Sequence, residues 1–119
     1  MHMPFVISRI SSLIVTGTGE GGHMPILCLD EELMRQTGLK DFQTILLFSE
    51  GTRLEVMLRS GKPGTGEAVL NGTQPLKTGD AIELVVQGFL DEREMGAVST
   101  HHYHVDEHNQ VVRVLMGRI

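Results

Sequence analysis

One cysteine, Cys28, stands among 119 residues, so neither an intrachain disulfide nor a multi-cysteine zinc site can form. Tryptophan is absent, and four Phe and one Tyr make up all the aromatic residues. No apolar run approaches the roughly 20 residues of a membrane-spanning helix. The start, MHMPFVISRI, lacks the basic region and long apolar stretch of a signal peptide. Clustered positive charge is missing too. Residues 1–60 carry five Lys or Arg against seven Asp or Glu, and the remainder carries five against eight. A nucleic-acid surface needs a basic patch, so nucleic acid and membrane are both excluded as expected partners. A soluble, cytoplasmic chain is expected. Its length suits one hydrophobic core, read as a single domain over 1–119 with residues 1–3 a candidate cloning remnant.

What the chain has is glycine and β-branched residues: 14 Gly, and 27 Val, Ile or Thr. That composition favours strands and tight turns over a helical bundle. Residues 5–16 read as one long strand, apolar at Phe5, Ile10 and Ile14. A Gly-rich stretch (17–25) reads as turns, followed by a short strand at 26–29. Asp30 is a helix N-cap with Glu31 and Glu32 in the first turn, and Gly38 ends that helix after about two turns. Strands at 43–49 and 53–59 meet at Glu50-Gly51-Thr52. Residues 60–67 form a loop, 68–70 a strand and Asn71-Gly72 a turn. Further strands are expected at 81–89, 100–105 and 110–116, with a short helical turn over 91–95. Seven short strands and one or two short helices make a mainly β domain, a small closed barrel.

The chemistry is sparse. Gly17, Gly19 and Gly22 spell G-x-G-x-x-G, but Pro25 and a strand follow where a dinucleotide site needs a helix. Residues 61–66 (GKPGTG) lack the Gly-Lys-Ser/Thr end of a P-loop. His102, His104 and Asp106 alternate, so a continuous strand would set all three on one face as weak metal-ligand candidates, with a solvated edge strand as the plain alternative. Cys28 lies in an apolar strand, where a small buried residue is the default and a nucleophile the exception. Arg9 and Arg53 each interrupt a strand-like pattern, and an Arg at a barrel mouth can clamp a carboxylate in a bidentate fork.

Five ordered segments carry a resemblance. They are ISRISSLIVTG (7–17), LDEELMRQTGL (29–39), EGTRLE (50–55), VLNGTQPLKTGDAIELV (69–85) and HVDEHNQVVRV (104–114). Together they resemble the bacterial aspartate 1-decarboxylase family, with the NG…GD segment the most specific. The resemblance implies a double-psi β-barrel that assembles as a homotetramer. It also implies a precursor that cuts itself at a Gly-Ser bond to leave a pyruvoyl group, the electron sink for decarboxylating aspartate to β-alanine for pantothenate synthesis. By the same resemblance Arg53 matches the arginine that holds a substrate carboxylate. Arg9 stands where the family usually has Lys, and Asn71 matches the family asparagine.

The cleavage site departs from the pattern. Counting back from Leu29-Asp30, Pro25 and Ile26 occupy the Gly-Ser positions, and Gly precedes Ser nowhere in the chain. Isoleucine has no hydroxyl with which to start an acyl shift, so no pyruvoyl is expected and no other cofactor is implied. Val56 and Met57 replace a Thr-Tyr pair that serves processing and protonation in the family. The expected function is therefore a lyase-like or other small-acid enzyme that binds a carboxylate metabolite on Arg53 and Arg9 in a subunit-interface pocket. Asn71, Ser11 and His23 are its candidate acid–base residues. Two readings stay open beside it: a non-catalytic, metabolite- or protein-binding tetrameric barrel, and a genuine aspartate decarboxylase cleaved elsewhere.

Overall fold

A computed structural model describes residues 3–72, 75–91, 93 and 98–118. Nine strands and one helix run in the order β1 (Met3–Ile14), β2 (Gly17–Gly19), β3 (Ile26–Leu29), α1 (Glu31–Thr37), β4 (Thr44–Ser49), β5 (Thr52–Ser60), β6 (Ala68–Asn71), β7 (Ala81–Leu90), β8 (Ser99–Val105) and β9 (Val111–Arg118). They form one sheet in the order β2-β6-β3-β5-β4-β7-β1-β8-β9.

The barrel closes through β1. Beyond its last residue, Thr16 N–H donates to the Ala68 carbonyl at 2.9 Å, and Ala68 N–H donates to Thr16 Oγ1 at 2.8 Å. This stitch joins β1 to β6 and turns β6-β3-β5-β4-β7-β1 into a six-stranded ring, with β2 continuing in parallel along β6. A closed ring removes the exposed edges that an open sheet would carry. The result is the mainly β, double-psi barrel implied by the resemblance, with β8 and β9 attached outside.

Alternation fills the interior. Leu27 and Leu29 of β3, Ile45 and Leu47 of β4, Val56 and Leu58 of β5, Ala68 and Leu70 of β6, and Ile82 and Leu84 of β7 all point inward and are buried. Each fully buried aliphatic side chain contributes about 1.5–3 kcal/mol. β1 breaks the alternation: its inward residues are Ile10, Leu13 and Val15. A period of two would demand Ile10, Ser12 and Ile14. The register against β7 shifts between Ile10 and Leu13, and Ser12 at φ 69° absorbs the extra residue as a bulge. Phe5 and Ile14, read as apolar strand positions, are only partly buried.

The helix follows its signals. Asp30 Oδ1 accepts Glu32 N–H at 2.8 Å, and Gly38 closes the last turn at φ 74° in the left-handed region. Two expectations differ from what is found. The Gly-rich stretch is not all turn, because Gly17–Gly19 is strand β2. At position 19 a Cβ would lie 2.3 Å from Asn71 Oδ1, so that amide would have to turn away to admit one. The expected helical turn at 91–95 falls mostly outside the described residues.

Asn109, read only as part of a polar turn, ties the β8–β9 connection to the barrel. Its buried side chain accepts Ile14 N–H at 2.8 Å and donates to the Ile14 and Gly66 carbonyls at 2.9 and 2.8 Å.

Candidate functional site

β1 runs parallel to β8, with Arg9 opposite His102 and Ser11 opposite His104. Opposite residues project to the same side of a sheet. Their inward neighbours Ile10 and Tyr103 are buried, so these four polar side chains share the outer face. Ser11 Oγ lies 2.6 Å from His102 Nε2, and the His104 ring packs against His102 with centroids 4.2 Å apart. Arg9 joins the group from the same strand. Its Nε donates to Glu83 Oε1 of β7 at 2.6 Å, and its Nη2 also meets that oxygen. Burial pushes the His102 imidazole below its ordinary value; His104 and Arg9 push the same way, and Glu83 opposes them. His102 is therefore neutral near pH 7, able to present one donor and one acceptor nitrogen. Beside it an open groove of about 360 Å³ is lined by Arg9, Thr100, His101 and His102 together with Val6, Ile7, Leu115, Met116 and Gly117.

Arg53 reaches this face from the other direction. Phe48 of β4 pairs with Arg53 of β5 on one side and with Glu83 of β7 on the other. Arg53 thus stands two strands from Glu83, about 10 Å at ordinary sheet spacing. It is exposed and has no ion-pair partner among the described residues. The two arginines are brought to one surface but not to one point. Glu83 stands between them and holds Arg9 by its Nε and Nη2.

The family's cleavage position lies farther round the barrel. Ile26 of β3 pairs with Asn71 of β6 and with Met57 of β5, placing Asn71, Ile26 and Met57 in one rung. The Pro25 carbonyl accepts Met57 N–H at 3.0 Å as an ordinary ladder bond. Two of the three side chains in this rung are hydrocarbon or thioether, and none bears a hydroxyl. These residues do not fit a pyruvoyl group, because Ile26 has no oxygen from which to make one. Asn71 Nδ2 sits 3.9 Å from Cys28 Sγ, a weak sulfur contact. Burial pushes the Cys28 thiol up, Glu67 adds to this, and Arg59 only partly opposes it. The thiol stays protonated and is a poor nucleophile.

His23 occupies an exposed bend ahead of β3 and joins neither group. The alternating metal candidates do not converge. β8 ends at Val105 with a register shift after His104, so Asp106 leaves the face that His102 and His104 share. Its carboxylate instead accepts His108 N–H at 2.9 Å and Gln110 N–H at 3.0 Å, closing the turn into β9. Among the described residues no group of three His, Cys, Asp or Glu side chains can hold a metal ion. Sequence spacing missed the partnership of Ser11 with His102 and the role of Glu83. The alternation within β1 and within β8 was legible, but the parallel pairing of the first strand with the eighth was not.

Comparison with known proteins gives the family. The family model described as aspartate decarboxylase matches residues 1–112. An aspartate 1-decarboxylase from Pseudothermotoga lettingae is 31% identical over 90 residues, covering 72% of this chain and 76% of that protein. One from Bacillus cereus strain B4264 is 25% identical over 93 residues, covering 75% and 73% respectively. The five segments, the closed barrel and these matches coincide, and the chain belongs to the aspartate decarboxylase family.

Proposed function

We propose that this chain is an unprocessed, pyruvoyl-free member of the family that binds a small carboxylate-bearing metabolite on the outer face between β5 and β8 and acts on it by acid–base chemistry. The observation that carries this reading is the rung Asn71–Ile26–Met57, which puts an alkyl side chain where self-processing requires a hydroxyl. Arg53, Arg9 and the Ser11–His102 pair remain as the charged and proton-bearing groups of the site. Guanidinium is suited to carboxylate, and a neutral imidazole beside a hydroxyl is suited to proton transfer at neutral pH. In a homotetramer the two arginines would border a pocket shared between copies in the cytoplasm.

Intact-mass spectrometry with a binding titration tests the reading. A single chain of 13.1 kDa is expected, together with saturable binding of small mono- and dicarboxylates that Arg9→Ala weakens by about tenfold or more, with Arg53→Ala adding to the loss only for the dicarboxylates. Two fragments, one starting with a pyruvoyl group, would restore the aspartate decarboxylase reading. Saturable binding without turnover of any bound acid would favour the non-catalytic barrel, which the same alkyl rung also supports.

A further inference from the structure

The alkyl rung takes away the carbonyl that an amino acid would need as an electron sink. A carboxylate does not acidify its neighbouring C–H enough for an imidazole to remove the proton. A substrate handled here by proton transfer must therefore bring its own sink, a ketone next to the bond that loses the proton.

The groove beside β8 has the groups for such a substrate. Arg9 gives Nε and Nη2 to Glu83, and its Nη1 end has no protein partner among the described residues. His102 lines the same groove and lies opposite Arg9 across the β1–β8 ladder. Its Nε2 is engaged by Ser11 Oγ, so the nitrogen left for a ligand is Nδ1. The Ser11 hydroxyl selects the tautomer. When Nε2–H donates to Ser11, Nδ1 carries a lone pair and is a base; when Ser11 donates, Nδ1–H is only a hydrogen-bond donor.

We propose that Arg9 and His102 form a proton-transfer centre for small keto acids, with Ser11 as the positioning residue that sets the imidazole tautomer. This rests on the carboxylate-binding reading above and names its substrate class. The carboxylate sits on the free end of Arg9. His102 Nδ1 takes a proton from the carbon next to the ketone, and the C–H electron pair becomes the carbon–carbon double bond of an enolate. The imidazolium then returns a proton to carbon. Nothing is oxidised or reduced, and no co-reactant is consumed. Other charged groups bear on His102: His104 on its own strand, Arg9 from β1 and Glu83 from β7; on β9 the residue opposite it is Leu115, and Arg113 pairs with His104.

The test is deuterium exchange into the methyl or methylene protons of pyruvate, 2-oxobutyrate and 2-oxoglutarate, followed by proton NMR with the whole protein in D₂O. Exchange on at least one of them should exceed the buffer rate by about a hundredfold. His102→Gln should remove it while acid binding persists, and Arg9→Ala should raise KM with little change in kcat. Ser11→Ala should lower kcat without moving KM, and Ser11→Thr should restore it, which a merely structural hydroxyl would not do. His108→Gln, in the exposed β8–β9 turn, should exchange like the parent protein. Saturable acid binding with no exchange above buffer overturns this proposal and leaves the carboxylate site standing. Exchange that survives in His102→Gln overturns it as well, and absence of any acid binding overturns both readings.

Discussion

Two buried polar side chains, Asp30 and Asn109, each do the work of several apolar ones. The Asp30 carboxylate accepts N–H bonds from Glu32, Gly64 and Gly66, at 2.8, 2.9 and 2.9 Å. Burial alone would raise its pKa, but the N–H groups of Gly66, Gly64, Glu32 and Leu33 outweigh that and hold it below the usual carboxylate value. The charged form is thus preferred in the folded state. Its contribution is complete above the unfolded value of about 3.9 and is lost as pH falls through the lower native value. Asp30→Asn should flatten the acid limb of the stability–pH curve, read by urea titration from pH 7 down to pH 3. Asn109→Ala should cost about 3–5 kcal/mol, because it strands the Ile14 N–H and the Ile14 and Gly66 carbonyls in the interior. Chemical denaturation measures this directly; a loss under about 1 kcal/mol would mean that water replaces the amide.

At the scale of elements, β2 and β3 meet at Asn71. Gly19→Ala should cost no more than about 1 kcal/mol in thermal melts, because the Asn71 amide that its methyl meets is the end of a side chain that can turn away. Restoring the cleavage dipeptide as Pro25→Gly/Ile26→Ser should leave the mass of the chain intact. The carbonyl at position 25 stays in the ladder to Met57, and the neighbouring Val56 and Met57 bring no hydroxyl. A cleaved product would show that the hydroxyl alone was missing. The elements themselves were mostly legible: the Asp30 and Gly38 caps, the Gly51 hairpin and the β7 alternation each have a local cause in the sequence. The β1 bulge was not, because the need to point Leu13 and Val15 inward is set by β7 and β6, far away in the chain. The site was legible in its residues and not in its grouping. Arg9, Arg53, Ser11 and Asn71 stood out, yet which of them meet depends on register between distant strands. His102 changed from metal candidate to the partner of Ser11 for that reason alone.

Across the whole molecule, the outermost strand is the least covered. β9 is hydrogen-bonded to β8 and has no neighbour beyond it among the described strands, while Val112, Val114, Leu115 and Met116 are all exposed. An apolar edge strand of this length invites pairing. Met116→Lys should therefore reduce self-association through this edge, read by size-exclusion chromatography with light scattering, while circular dichroism keeps the parent strand signal. An unchanged mass would place the assembly contacts elsewhere. No helix among the described residues is long and apolar enough to cross a membrane.

The stitch of Asn109 onto Ile14 also has a meaning in time. β1 is held between β7 and β8, and its last residues are fixed by a side chain made almost a hundred positions later. During synthesis β1 has neither of its ladder neighbours until residues 81–105 have appeared. Ile10 and Leu13 wait for that pairing, and the ring closes only once β7 has been made. A chain with such non-local pairing folds slowly for its size and is exposed to aggregation while it does. Termination before Ala81 should leave a nascent chain whose ring cannot close.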